Sequence, residues 1–178
     1  MKNITKIFSL LLLVLMITSC KNEKSLQGYL IESQEKEGFI SVDIPNSFLQ
    51  LKSDAVSDEV RETLKSIRKV NVVALPIKGN EVAYEIEKSK LKGIFKENDD
   101  YKSLMSLKIK EMHVNLYYTG NTESIDEVIA FGYGNEIGVG VARLLGDNMN
   151  PEKVIEMLNN VKMDEDNLKN FGKIFTEK

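Results

Sequence analysis

The chain has 178 residues with 27 acidic and 24 basic side chains, and its formal net charge at neutral pH is −3. This mildly acidic balance favours solubility and disfavours nucleic acid or anionic lipid headgroups as partners. The chain contains one cysteine and one histidine, and a lone cysteine excludes internal disulfides and thiolate zinc sites. The length fits one domain that buries enough surface to fold without such cross-links.

The first twenty residues have the pattern of an export signal. Lys2 and Lys6 precede an apolar run from Ile7 to Ile17, which is shorter than the roughly 17–25 residues of a transmembrane helix. The run ends in a sequence that resembles the lipobox of bacterial lipoproteins: Ile17, Thr18, Ser19 and Cys20. The resemblance implies a diacylglyceryl group on the Cys20 thiol and cleavage just before it. An ordinary cleaved signal with a chance cysteine at its end is the alternative.

We therefore predict a signal peptide over residues 1–19, a short tether over 20–25 and one domain over 26–178. Two or three acyl chains on Cys20 would hold the protein on a membrane, since each buried methylene contributes about 0.8 kcal/mol. Lys21, rather than an aspartate, follows the cysteine, and by the same resemblance this favours the outer membrane. We expect the lipid bilayer as one partner, at the periplasmic face or the cell surface.

The first half of the domain alternates helices and strands. Both predicted strands are apolar and each is closed by a proline, Pro45 or Pro76. The helix between them is long enough for a crossover, which permits a parallel pair near the centre of the sheet without requiring it. Residues 46–51 predict a helical turn. The predicted helices cover residues 25–36, 57–67 and 80–96, and the predicted strands cover 39–44 and 70–75.

The second half predicts four strands joined by short turns, an antiparallel meander. Its last two strands form a hairpin around Gly134 and Asn135, and Asn150 with Pro151 then begins a helix. Residues 163–178 predict a ragged helical tail. The fold class is α+β, with one mixed, mainly antiparallel sheet of about six strands and helices packed mainly on one face. The first, third and fourth strands of the meander cover residues 104–109, 125–133 and 137–144. The second strand has Val114, Leu116 and Tyr118 on one side.

Three short pieces of the domain resemble domain-of-unknown-function family 4252, found in envelope lipoproteins of Bacteroidetes. They are residues 40–45 followed by Phe48, residues 100–105 at the start of the meander, and residues 145–147 before the last helix. The resemblance covers roughly residues 25–160. It implies the fold and an envelope location, and it supplies no catalytic residues.

Two glycine pairs stand out in the meander. They are Gly132 and Gly134 around Tyr133, and Gly138 and Gly140. A dinucleotide site needs its glycines between a strand and a helix, whereas these lie in and beside a hairpin. We interpret them as small residues where another element packs closely, and a flat patch for a docking partner is the alternative.

The other polar candidates have weak spacing for catalysis or metal binding. His113 falls on the polar side of its strand, so we expect it to face solvent. Residues 98–100 and 164–167 are acidic but lack the regular ligand loop of a calcium site. Two acids would form a glycosidase-like pair if the strand register brought them together. The candidates are Glu111, Asp126 and Glu127.

Three tyrosines, Tyr117, Tyr118 and Tyr133, are expected either to cluster on the sheet or to pack in the core and across strands. We expect no catalytic residue, no cofactor and no metal site. The leading hypothesis is a non-catalytic binding or adaptor module for an envelope protein partner. The alternatives are a carboxylate-based hydrolase, which needs two acids about 5–9 Å apart, and a carrier of a small hydrophobic ligand, which needs an apolar cavity.

Overall fold

The computed structural model describes residues 25–53, 56–121 and 123–163. The predicted signal peptide, Cys20 and Lys21 lie outside these residues. Residues 164–178, which are most of the predicted tail, also lie outside them. The described helices are α1 Leu26–Gln34, α2 Asp58–Ser66, α3 Glu81–Glu97 and α4 Pro151–Asn160. The strands are β1 Ile40–Pro45, β2 Leu49–Leu51, β3 Ile67–Pro76, β4 Lys102–Ile109, β5 Met112–Gly120, β6 Ile125–Gly134, β7 Gly138–Met149 and β8 Val161–Met163.

Side-chain caps set where the helices begin. The hydroxyl of Ser25 accepts a hydrogen bond of 3.0 Å from the Gly28 amide at the start of α1. Ser57 does the same for Val60 in α2. At α4 the Asn150 side chain accepts from two backbone amides and Pro151 is the first helical residue, as the sequence predicts. These caps satisfy amide groups that a helix leaves without an internal partner.

Six strands form one sheet in the order β1-β3-β7-β6-β5-β4, and every neighbouring pair is antiparallel. β2 and β8 form a separate antiparallel pair. The predicted α+β class, the six-stranded sheet and the four-strand meander are confirmed. The turn between β6 and β7 lies one residue later than predicted, because Gly134 still pairs with Gly138 and residues 135–137 form the turn.

The parallel pair considered for β1 and β3 is wrong. β1 ends at Pro45, which pairs with Lys69 near the start of β3, so the chain leaves and re-enters the sheet at the same end. No crossover is then needed. The predicted turn over residues 46–51 is a 3₁₀ turn, Asn46–Phe48, followed by β2. The chain therefore returns through β2 and α2 at that end of the sheet.

The helices divide between the two faces of the sheet, two on each, rather than packing mainly on one. α1 and α3 pack against Val73, Phe131 and Val141 in the first core. α2 and α4 pack against Val128 and Leu144 in the second core. Since side chains alternate along a strand, these odd- and even-numbered residues point to opposite faces. The prediction failed because helix periodicity does not say which sheet face a helix covers.

Candidate functional site

The second sheet face is apolar along its whole length, but α2 and α4 cover only one end of it. Beyond Leu144 and Val128 the two central strands carry only glycine and alanine on this side. Larger side chains stand on the strands that flank them, Val72 and Pro76 on β3 and Met112 and Val114 on β5. We call this depression the trough. Its floor consists of Ala130, Gly132 and Gly134 on β6 and Gly138, Gly140 and Ala142 on β7.

The trough is an open groove with a volume of about 400 Å³. Its floor alanines and its wall valines are half-buried although no helix in the described part of the chain lies over them, because neighbouring strands shield small side chains. The exposed side chains of Leu107 and Ile137 extend the apolar surface, and they are 39% and 62% exposed. A contiguous apolar surface of this kind is typical of an interaction site.

Glycine stands at the floor positions of the trough for different structural reasons. Gly138 has a φ of +120°, and a Cβ on it would lie 2.1 Å from the carbonyl oxygen of Leu75. A Cβ on Gly140 would lie 2.9 Å from the Val73 carbonyl oxygen, so the close approach of β3 and β7 requires glycine there as well. At Gly132, in contrast, a Cβ would make only ordinary contacts at 3.9 Å. Glycine at 132 keeps the floor low without being required by the backbone.

The glycine pairs thus lie where the sequence places them, inside paired strands and not between a strand and a helix. Gly132 pairs with Gly140, and Gly134 with Gly138. Close packing by a neighbouring strand, which the sequence predicts, explains three of the four. The missed members of the site are Ala74, Ala130 and Ala142. The available signal was that the central strands are apolar at both odd and even positions, which indicates two buried faces.

His113 is exposed on β5, as predicted, and it faces the α1 and α3 side of the sheet. Its ring stacks on Tyr133, the residue opposite it on β6, with 5.2 Å between ring centroids. The ammonium group of Lys92 lies 4.4 Å from the centroid of the same tyrosine ring. His113 therefore belongs to a surface stack on the face opposite the trough.

The aromatic residues of β5 and β6 divide between the faces. Tyr117 stacks on Phe95 at 4.4 Å, and Phe95 also packs on Phe131 at 5.5 Å. Tyr133 continues this group beyond Phe131, whereas Tyr118 packs with the second core. Tyr117 and Tyr133 therefore contribute to core and cross-strand packing together, and Tyr118 does so on the other side of the sheet.

The three acids considered for a catalytic pair are not brought together. Met112 pairs with Gly134 and Thr119 with Glu127, so Glu111 and Glu127 are eight residues apart along the strands. At about 3.3 Å per residue this is roughly 26 Å, well beyond the separation that glycosidase chemistry uses. Asp126 is exposed, whereas Glu127 is buried.

Glu127 instead forms a buried ion pair with Arg143 on the neighbouring strand. Its two carboxylate oxygens accept hydrogen bonds of 2.5 and 3.0 Å from the guanidinium group, and Gln27 of α1 accepts a third at 2.5 Å. A bidentate pair of this kind fixes geometry well. The arrangement connects α1 to the sheet and engages both oxygens of Glu127 in the ion pair.

A second buried polar group, which the sequence did not reveal, lies between α1 and α3. Glu87 is 6% exposed and accepts a 3.0 Å hydrogen bond from Lys36. Within the described residues its second oxygen and the hydroxyl of Ser33 are buried without a hydrogen bond of good geometry. Burial, and then the negative charge of Glu87, raise the pKa of the Tyr29 hydroxyl far above its ordinary value.

Metal-binding candidates have little support in the described part of the chain. Asn98 accepts a 3.0 Å hydrogen bond from the Asp100 amide, which is a local turn contact. Across residues 25–53, 56–121 and 123–163 there is no group of three His, Cys, Asp or Glu side chains that could hold a metal ion. The acidic residues 164–167 lie outside the described residues.

The family comparison covers most of the domain. Residues 29–157 match a family described as a domain of unknown function (DUF4252), which confirms that part of the resemblance. No curated protein and no solved structure matches the chain. Among the helices of the described residues, none has the length and hydropathy to cross a membrane. Because the match spans well over half of the chain, the protein belongs to the DUF4252 family.

Proposed function

We propose that the protein is a lipid-anchored lipoprotein of the bacterial outer membrane that acts as a non-catalytic module for binding an envelope protein. Cys20 is the anchor, and the trough is the binding surface. The observation that carries the binding role is the apolar end of the second sheet face, which no helix of the described residues covers.

Exposed apolar surface has a free-energy cost of about 25 cal/mol for each Å² in contact with water. The trough walls and the exposed Leu107 and Ile137 are large aliphatic side chains. A partner that covers them would remove this cost, and the trough is concave enough for close contact. On the opposite face, α1 and α3 pack over the central strands at Val73, Phe131 and Val141.

The sequence before the described residues supports the anchor. The apolar run from Ile7 to Ile17 is too short to span a bilayer, and the one cysteine of the chain, Cys20, lies three residues after its end. Only five residues separate Cys20 from α1, and fully extended they reach roughly 17 Å. The proposed domain would therefore stay close to its membrane.

Photo-crosslinking in intact cells tests the binding role. A photoreactive amino acid is placed at Val72 or Leu107 at the trough, and at Val82, an exposed residue of α3, as the control. We expect a discrete crosslinked protein from the trough positions and not from Val82. The same products from all three positions, or no protein product from the trough, would contradict the proposal.

Metabolic labelling tests the anchor. Cells grown with labelled palmitate should label the native chain, and the Cys20→Ser variant should take up no label. Equal label in both forms would show that Cys20 carries no acyl chain.

A carrier of a small hydrophobic ligand is a second candidate, because a volume of about 400 Å³ lies within the range of ligand pockets. The groove is open and lies on the part of the second sheet face that α2 and α4 leave uncovered, not between sheet and helices. Binding of a fluorescent fatty acid to the purified protein, abolished by Gly132→Leu, would favour this candidate over the protein-binding module.

A further inference from the structure

We propose that the trough binds one amphipathic α-helix of a protein partner, with the helix axis along β6 and β7. This inference rests on the proposed function and states which element of the partner is bound. It is carried by the six small floor residues and by the larger wall residues on β3 and β5.

The trough has the width of a helix. Its walls are on β3 and β5, which are separated by β7 and β6. They are therefore three strand spacings apart, roughly 14 Å. An α-helix with its side chains is about 10–12 Å wide, so it fits between the walls. A single acyl chain is only one methylene wide and would leave most of the floor uncovered.

The length of the trough sets the length of the bound segment. From Gly138 to Ala142 the floor extends four residues along the strand, which is roughly 13 Å. At 1.5 Å per residue about nine residues of helix cover that distance. A helix of two to three turns presents three or four side chains on one side, at positions i, i+3, i+4 and i+7. The glycine floor leaves room for those side chains to be large.

The same sheet face already binds a helix next to the trough. Val154 and Met157 of α4 are fully buried in one cluster with Val128 and Leu144. Ala130 lies two residues beyond Val128 on the same side of β6, and Ala142 two residues before Leu144 on β7. The trough is thus a direct continuation of the surface on which α4 packs, and a second helix would extend that layer.

The chemistry of the lining defines the face that the partner presents. The wall and floor residues of the trough are all apolar, so an unpaired charge on the bound side would be desolvated at a cost. The bound stripe must therefore be uncharged, with polar residues turned to solvent. Strand addition does not suit this site, because the floor strands β6 and β7 are paired on both sides and offer no free edge.

The anchor favours a partner helix over the bilayer itself. α1 directly follows the predicted tether and lies on the first sheet face, so the N-terminal end of the described domain lies on the side of the sheet opposite the trough. A helix in the aqueous phase can reach the trough in that orientation, whereas membrane lipid would meet the α1 side first.

Peptide selection tests the inference. A phage library of random 16-residue peptides is selected on the detergent-solubilised lipidated protein and counter-selected on its Ala142→Arg variant. We expect enriched peptides to carry large apolar residues at i, i+3, i+4 and i+7. Their synthetic forms should gain helical circular dichroism on binding. Affinity should fall at least tenfold on Ala142→Arg and on Gly132→Leu, which fills the floor, and stay unchanged on Ile86→Arg on α3.

Folding of the variants is checked by near-ultraviolet circular dichroism. If Ala142→Arg is unfolded, Leu107→Arg at the exposed rim replaces it in the counter-selection. Enriched peptides with a period of two, or peptides that bind Gly132→Leu as well as the native protein, would overturn the inference. Peptides that bind only after deletion of residues 164–178 would assign the trough to the chain's own segment and overturn it too. A trough crosslink to a protein segment that is not helical would overturn the helix and leave the binding function standing.

Discussion

The floor glycines allow a comparison of the same substitution at two neighbouring positions. Gly132→Ala should leave stability unchanged or raise it by about 0.5–1 kcal/mol, because alanine loses less backbone entropy on folding and the Cβ has room. Gly140→Ala should lower stability by roughly 1–3 kcal/mol, because its Cβ would lie 2.9 Å from the Val73 carbonyl oxygen and 3.0 Å from the Cβ of Ala74. Urea unfolding of both variants measures the difference.

The two glycines face each other across β6 and β7, so each variant is the control for the other. A loss of stability at Gly132 equal to that at Gly140 would show that the floor as a whole is intolerant of side chains. In that case Gly132→Leu would be unsuitable for filling the trough.

The buried ion pair allows a prediction about a single charge. Glu127→Gln should destabilise the fold by about 3 kcal/mol, because it leaves the Arg143 guanidinium largely buried without its counter-charge. Asp147→Asn, which breaks an exposed pair with Arg68, should change stability by less than about 0.5 kcal/mol. Thermal unfolding at neutral pH checks both, and equal effects would mean that solvent screens the Glu127 pair.

At the scale of elements, the contact of α1 with α3 should respond to alkaline pH through Tyr29. Burial raises the pKa of this hydroxyl, whereas in the unfolded chain the pKa is about 10. The unfolded state therefore loses the proton first, and the stability that the neutral hydroxyl contributes is present below pH 10 and declines above it.

The Tyr29→Phe variant should remove this part of the pH dependence. Between pH 10 and 11.5 the native chain should lose up to about 1.4 kcal/mol per pH unit more than the variant does. Denaturant unfolding at several pH values measures the two slopes. Tyr133→Phe, at a half-exposed ring, controls for loss of a tyrosine hydroxyl. Parallel slopes for the native chain and Tyr29→Phe would show that Tyr29 ionises as readily in the folded state.

Helices and strands were largely predictable from the sequence because their signals are local. The Ser57 cap, Asn150 with Pro151 and the alternation around Leu116 each act within a few residues. The pairing of β1 with β3 was not predictable in the same way. Its direction depends on where Pro45 and Lys69 meet, and an apolar strand can pair in either direction.

At the scale of the molecule, the trough could be predicted only in part. The glycine pairs are evident in the sequence, since both lie within one hairpin. Ala74 joins them through its pairing with Gly140, which is far away in sequence, and the uncovered end appears only when α2 and α4 are placed. A site made by strand register and by the helices that stop short of it has no local sequence signature.

Anchor and trough together predict that binding depends on confinement to a membrane. A tethered protein meets a partner on the same membrane at an effective concentration that can reach the millimolar range for a short linker. Replacing residues 1–20 with a signal peptide that is cleaved without lipidation should release the domain from the membrane. The trough crosslink through Val72 should then fall at least tenfold at equal protein level. The Gly132→Leu variant should also lose the crosslink, but its protein should stay in the membrane fraction. Equal crosslinking from the released and the anchored forms would mean that the trough binds a soluble partner tightly, without help from Cys20.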